Sequence, residues 1–139
     1  LQLALEAVRE ITPGKLIIGF GSDGDRDKGK RPLLGEIAAR EADLLVVTDE
    51  NPRHEVASEI RAEIMAGVRK VRPDFAGVEE ITTCRADAVR RCVELAGPDD
   101  TVIVTGKGHE PYQEVGDDKI PYNDAPVMAA AVADKWGDK

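Results

Sequence analysis

Three features of the sequence predict an α/β fold: a Rossmann-like, mostly parallel sheet with helices on both faces and an antiparallel edge hairpin near the carboxyl end. Short apolar runs, Lys15 to Phe20 (KLIIGF), Leu44 to Thr48 (LLVVT) and Thr101 to Thr105 (TVIVT), alternate with segments of helical periodicity. That alternation is the pattern of buried strands joined by crossover helices. Each run ends in a polar loop bearing glycine or proline. If the strands are parallel, the three loops open on one edge and converge on one cleft, where such sheets bind ligands. Finally, Tyr112 to Val115 and Lys119 to Tyr122 flank Gly116-Asp117-Asp118, which reads as a hairpin with a short loop.

In chain order, residues 2 to 11 form a helical pattern with Leu1, Leu5 and Val8 on one face, ended by Thr12-Pro13-Gly14 before the first strand. Pro32 suits the first turn of a second helix running to about Ala42, with Leu34, Ile37 and Ala38 inward. After the second strand, a longer helix from Glu55 to Val71 is expected to bury Val56, Ile60, Ile64 and Val68 and to expose Glu59, Arg61, Glu63 and Arg69. Arg72-Pro73-Asp74 breaks that pattern. Val78 to Thr82 then makes a short third strand, and Arg85 to Ala96 a helix. Gly97-Pro98-Asp99-Asp100 turns into the fourth strand, and Asn123 or Asp124 caps a last helix, Ala125 to Trp136.

The chain of 139 residues carries no internal repeat, low-complexity tract or linker, so one domain is expected. It starts without methionine inside a helical pattern, which predicts a domain cut from a larger protein, spanning 1 to 139. A formal net charge of -8 argues against nucleic acid as a partner, since phosphate binding of that kind needs a basic surface. No run approaches the ~20 apolar residues of a membrane helix and the first residues lack the charged head and apolar centre of a signal peptide, so a cytoplasmic protein is expected. Cys84 and Cys92 fall in one predicted helix, roughly 12 Å apart along its axis, too far for a disulfide.

The loops carry the chemistry. The first, Gly21 to Pro32, mixes Asp25 and Asp27 with Arg26, Lys28, Lys30 and Arg31; arginines of this kind clasp carboxylates or phosphates in a two-point fork. The plain alternative is a solvated charged loop. It is not an ATP-binding P-loop, because G-x-x-x-x-G-K-[ST] occurs nowhere in the chain. In the second loop, Glu50, Asn51 and Arg53 offer an anion, an amide and a cation around the stiffening Pro52, a set suited to a zwitterion whose carboxylate meets Arg53 and whose ammonium meets Glu50 and Asn51. Asn51-Pro52 read as ordinary turn chemistry is the alternative, although no structural duty is evident for Arg53. In the third, Gly106 leaves backbone groups open to a ligand and Glu110 can bind an ammonium. His54 and His109 are the only histidines, so neither a metal site nor a nucleophilic arrangement is expected.

Gly24-Asp25-Arg26-Asp27-Lys28-Gly29-Lys30-Arg31-Pro32, Asn51-Pro52-Arg53 and Gly106-Lys107-Gly108-His109-Glu110, in that order, strongly resemble the carboxyl-terminal domain of the Mur ligases. The likeness is closest to the branch that adds meso-diaminopimelate to UDP-N-acetylmuramoyl-L-Ala-D-Glu in peptidoglycan synthesis. The resemblance implies the last domain of a three-domain bacterial cytoplasmic enzyme, a monomer, whose ATP and Mg are held mainly by a central domain and whose dipeptide substrate is reached through the other domains. It implies that ATP phosphorylates the D-glutamate side chain and that an amine of the incoming amino acid attacks the resulting acyl phosphate. Carried over by motif, Arg26 and Arg53 are implied ligands of the diaminopimelate carboxylate, with Glu50, Asn51, Pro52, Gly106 and Glu110 on the remaining contact positions. Glu50 stands where the family box begins with Asp, and neighbouring Asp49 is the other candidate there. Lysine-adding members lack the arginine at the position of Arg53. Two rivals remain: a non-catalytic anion- or nucleotide-binding α/β module, and a Mur or folylpolyglutamate-type ligase using another amino acid.

Overall fold

The computed structural model describes residues 1–24, 29–105 and 111–137. Its elements follow the order α1 (Gln2–Glu10), β1 (Leu16–Phe20), α2 (Lys30–Glu41), β2 (Leu44–Val47), α3 (Ala57–Val71), β3 (Val78–Glu80), α4 (Arg85–Leu95), β4 (Thr101–Val104), β5 (Tyr112–Val115), β6 (Asp118–Pro121) and α5 (Asp124–Trp136). Strands β1 to β4 form one parallel sheet in the order β3-β2-β1-β4. The expected hairpin forms, but instead of adding an edge to that sheet it is a two-stranded antiparallel sheet of its own, with Val115 opposite Asp118 across the Gly116-Asp117 turn.

Side chains alternate across the central strands and feed two cores. Leu16, Ile18 and Phe20 of β1 and Leu45 and Val47 of β2 pack under α1, α2 and α3 with Leu5, Ala38, Ile60, Ile64 and Val68. Ile17 and Val46 point to the opposite face, onto Ala88 and Cys92 of α4. Helices α2 and α3 approach so closely that a Cβ on Gly67 would collide with the Pro32 carbonyl oxygen; only glycine lets the backbones meet there. Helix α2 ends against Arg72, whose guanidinium donates to the carbonyls of Ala39, Ala42 and Asp43 and so satisfies groups that a helix end leaves open.

Helix α5 has no buried residue among those described. It is tied down instead by polar contacts at both ends. Asn123 caps its start by accepting from the Ala125 amide at 3.1 Å. Lys135 in its last turn donates to the carbonyls of Val93, Glu94 and Ala96, closing the carboxyl end of α4.

Two expectations for α3 fail. Val56 is 57% exposed, because the helix begins at Ala57 and Val56 is the extended residue before it, off the inward face. Arg61, expected on the outer face, is buried among acidic partners. Cys84 precedes α4 and is exposed while Cys92 is buried, and both are free thiols.

Candidate functional site

The site is assembled where β1 and β2 end side by side, since their parallel register (Phe20 opposite Val47) launches two loops from the same edge. The loops touch at once. The Gly24 amide donates to the Asn51 carbonyl at 2.7 Å, and a Cβ on Gly24 would collide with the Pro52 carbonyl oxygen. Glycine is therefore required for the two loops to close on each other. Asp23 adds a side-chain acceptor for the Asn51 amide at 3.3 Å.

Loop two is held from below by three buried arginines, each rooted in a different helix. Arg31, in the first turn of α2, is 1% exposed and donates to both carboxylate oxygens of Glu55 at 3.0 and 2.7 Å, to Glu63 and to the Asp23 carbonyl. Hydrogen bonding to Glu55 is the chief reason its pKa is raised, against the pull of burial. Arg61 of α3 pairs with Asp49 at 2.6 Å and Glu80 at 2.9 Å. Arg85, the first residue of α4, makes a fork to Asp124 and donates to the carbonyls of Asp49 and Thr105, all at 2.9 Å. Tyr122 adds its hydroxyl to Asp124 at 2.7 Å, and burial together with that carboxylate pushes the phenol pKa up. Arg85 thus joins the loop-two strand end, the start of the third loop and the start of α5.

Above this base, residues Glu50, Asn51 and Pro52 are buried and Arg53 is half-buried. The β5–β6 hairpin lies over them. The Glu114 amide donates to Asn51 Oδ1 at 2.9 Å, Gln113 donates its side-chain amide to the Glu50 carbonyl, and Arg53 and Glu114 exchange backbone contacts through the Arg53 amide at 3.0 Å. The Gly116 amide returns to the Arg53 carbonyl at 2.5 Å, forming an isolated parallel bridge. Arg53 itself sits in the left-handed region at φ 53°, a conformation that costs a non-glycine residue roughly 1–2 kcal/mol. The hairpin and the loop contacts hold it there.

The Arg53 side chain sets Nε and Nη2 on Glu114 at 3.1 Å each, and Nη1 on the Gly24 carbonyl at 3.0 Å with Asp23 at 3.6 Å. Burial works against its charge, but the carboxylates of Asp23 and Glu114 outweigh that and hold its pKa raised. It is a cation fixed at a loop junction with part of its surface still open.

Several sequence expectations are thereby corrected or sharpened. Arg53 has a structural duty, binding the hairpin to both loops. Arg31, expected among the anion-clasping cations of loop one, is spent below the surface on Glu55 and Glu63. Asp49, the other candidate beside Glu50, is committed to Arg61. Of the seven site residues expected from sequence, Glu50, Asn51, Pro52 and Arg53 come together here. Arg26, Gly106 and Glu110 lie outside the described residues. Asp23, Arg85 and Glu114 were not foreseen, because their partners are 30, 36 and 61 residues away in the chain from Arg53, Asp49 and Arg53 respectively.

Comparisons with known proteins bear on this arrangement. A family model described as Mur ligase, glutamate ligase domain matches residues 1–108, which include both described loops but not the hairpin. The chain is 47% identical over 133 residues to UDP-N-acetylmuramoyl-L-alanyl-D-glutamate--2,6-diaminopimelate ligase of Brucella melitensis, covering 96% of this chain and 26% of that protein. It is 45% identical over 139 residues to the protein of the same name from Agrobacterium fabrum, covering 100% of this chain and 27% of that one. A solved structure titled as a ligase of that name superposes with a TM-score of 0.85 at 32% identity, covering 96% of this chain and 27% of that one. The chain spans about a quarter of the length of these relatives. With most of its length matched by the family model, the chain belongs to the Mur ligase, glutamate ligase domain family.

Proposed function

We propose that residues 1 to 139 are the carboxyl-terminal, amino-acid-binding domain of a three-domain ligase that adds meso-diaminopimelate to UDP-N-acetylmuramoyl-L-Ala-D-Glu. The observation that carries this reading is Arg53: a half-buried guanidinium, locked in a left-handed backbone turn at the meeting of two strand-end loops, on a chain whose relatives are named for 2,6-diaminopimelate. Such a group recognises a carboxylate by charge-assisted, directional hydrogen bonds. Lysine lacks the second carboxylate of diaminopimelate, so Arg53 is the group that separates the two.

Arg53 and Arg26 take the distal carboxylate. Glu50, Asn51, Gly106 and Glu110 meet the remaining polar groups of the amino acid, and Pro52 stiffens the turn that presents them. The buried arginines beneath keep loop two rigid, so that little ordering cost falls on ligand binding. ATP, with Mg, supplies the phosphoryl group that activates the D-glutamate side-chain carboxyl, so that an amine of the amino acid displaces phosphate and forms the amide. No P-loop occurs in the sequence, and among the described residues no three His, Cys, Asp or Glu side chains gather as metal donors. In this reading the nucleotide and metal are held by the other domains of the ligase, as the family likeness implies, and those domains also bring the dipeptide substrate. No helix among the described residues is long and apolar enough to cross a membrane. The reading includes a cytoplasmic monomer acting on nucleotide-linked substrates.

The test is an NMR titration of the isotope-labelled chain with meso-diaminopimelate, with L-lysine as control. Shifts at Glu50 to Arg53 with diaminopimelate alone are expected, and Arg53→Ala should abolish them. Equal responses to both amino acids would remove Arg53 from its role, and binding of phosphate with indifference to amino acids would favour the anion-binding module.

A further inference from the structure

Arg53 does not wait with its fork empty. Its Nε and Nη2, the pair that grips a carboxylate side-on, both face one Glu114 oxygen, Oε2, at 3.1 Å. Its Nη1 is turned to the Gly24 carbonyl and Asp23. Among the described residues, one cation thus faces two carboxylates. The Glu114 backbone is pinned to loop two by its amide on Asn51 Oδ1 and its carbonyl on the Arg53 amide. The side chain, 28% exposed, can turn away without moving that backbone. Glu114 lies beyond residues 1–108, the span shared with the family model.

We propose that Glu114 is a specificity-determining residue: an internal carboxylate that occupies the Arg53 fork and that a ligand carboxylate must displace. The proposal rests on Arg53 being the carboxylate ligand. Its consequence is selectivity. A ligand that offers only an anion exchanges one carboxylate for another and gains almost nothing, while the Asp23 and Glu114 charges repel it. A ligand anchored by other groups elsewhere in the cleft has surplus binding free energy to drive the exchange. Diaminopimelate, with a second amino-acid centre, is of that kind; inorganic phosphate is not. Glu114 therefore lowers affinity for every anion, and only one held at two points retains enough binding free energy to displace it.

Glu114→Gln keeps the shape and one acceptor while removing the charge. Titrating the wild-type chain and this variant with meso-diaminopimelate, L-lysine and inorganic phosphate, and following the Arg53 Nε–H signal, separates the outcomes. The expected result is at least threefold tighter diaminopimelate binding in the variant, newly measurable phosphate binding at Arg53, and no change for lysine. Glu114→Ser, which removes the fork partner altogether, should do the same. Equal diaminopimelate affinities would overturn the proposal and leave the reading of the site intact. Weaker binding in Glu114→Gln would also overturn it, by making Glu114 a direct partner of the ligand ammonium. Phosphate gained by the variant with no response to diaminopimelate in either protein would uphold the displaceable carboxylate and sink the amino-acid site. No response of Arg53 to any of the three ligands in either protein would overturn both.

Discussion

Arg85 and Arg53 carry the same side chain and both bond to loop carbonyls and carboxylates, yet they do different work. Arg85 is 1% exposed and every described contact goes to groups that fold the rim: Asp49, Thr105 and Asp124. Arg53 is 19% exposed at its side chain and its strongest partner, Glu114, sits on a hairpin at the surface. The difference is one of replaceable partners. A guanidinium that is itself buried can only hold a structure together, because losing one partner leaves its charge or a carbonyl without a partner away from bulk water. A guanidinium whose partner reaches solvent can trade it for a ligand.

The comparison can be broken most decisively at Arg85. Arg85→Met should cost about 3 kcal/mol or more of unfolding free energy by urea titration, since it removes the cation paired with the Asp124 carboxylate, 15% exposed, and the donor to two carbonyls. A loss under about 1 kcal/mol would mean that the rim does not depend on it. Next in size is Gly24→Ala. The added methyl meets the Pro52 carbonyl, and overpacking of this kind costs about 1–3 kcal/mol. It should also shift the NMR signals of Asn51 and Pro52, whereas a mutation on the far side of the sheet should not.

Arg53→Ala sharpens the contrast from the other end: a stability change of about 1 kcal/mol or less, as for partly exposed ion pairs, alongside lost diaminopimelate binding. A collapse of stability would place Arg53 with Arg85. The smallest effect is expected at Asp100, far from the rim, where the Gly97 and Lys15 amides donate to its carboxylate at 2.8 Å each and hold its pKa below the ordinary 3.8. Its lowered folded pKa means that its contribution is complete above the unfolded value and disappears as pH falls through the folded one. Asp100→Asn should therefore flatten the acid side of the stability curve, between about pH 5 and about pH 1, without touching ligand binding.

The elements were legible because their signals are local. The runs LIIGF, LLVV and TVIV became β1, β2 and β4, and Asn123 caps α5 as its place before an apolar run suggests. The Asn51-Pro52-Arg53 box and its opposing glycine loop were found the same way, as short motifs at strand ends. Arg61 shows where local reading stops. Its helical position faces outward by pattern, but Asp49 and Glu80, 12 and 19 residues away, surround it. A buried ion pair looks in sequence like a solvated charge, since burial is decided by which acids arrive from other elements.

By itself the sequence determined the α/β class, the alternation of strands and helices, and the loops that carry the chemistry, because backbone periodicity, turn residues and strand-end motifs act over a few neighbouring residues. Among the described residues, only the tertiary structure decided which arginines are spent beneath the surface and which keeps a partner that can be exchanged. That choice depends on long-range pairs: Arg31 with Glu55 and Glu63, Arg61 with Asp49 and Glu80, Arg85 with Asp124, and Arg53 with Glu114. In a chain with 19 basic and 27 acidic residues, far more pairings are possible than are made. The sheet order β3-β2-β1-β4, by bringing particular strand ends together, selects among them.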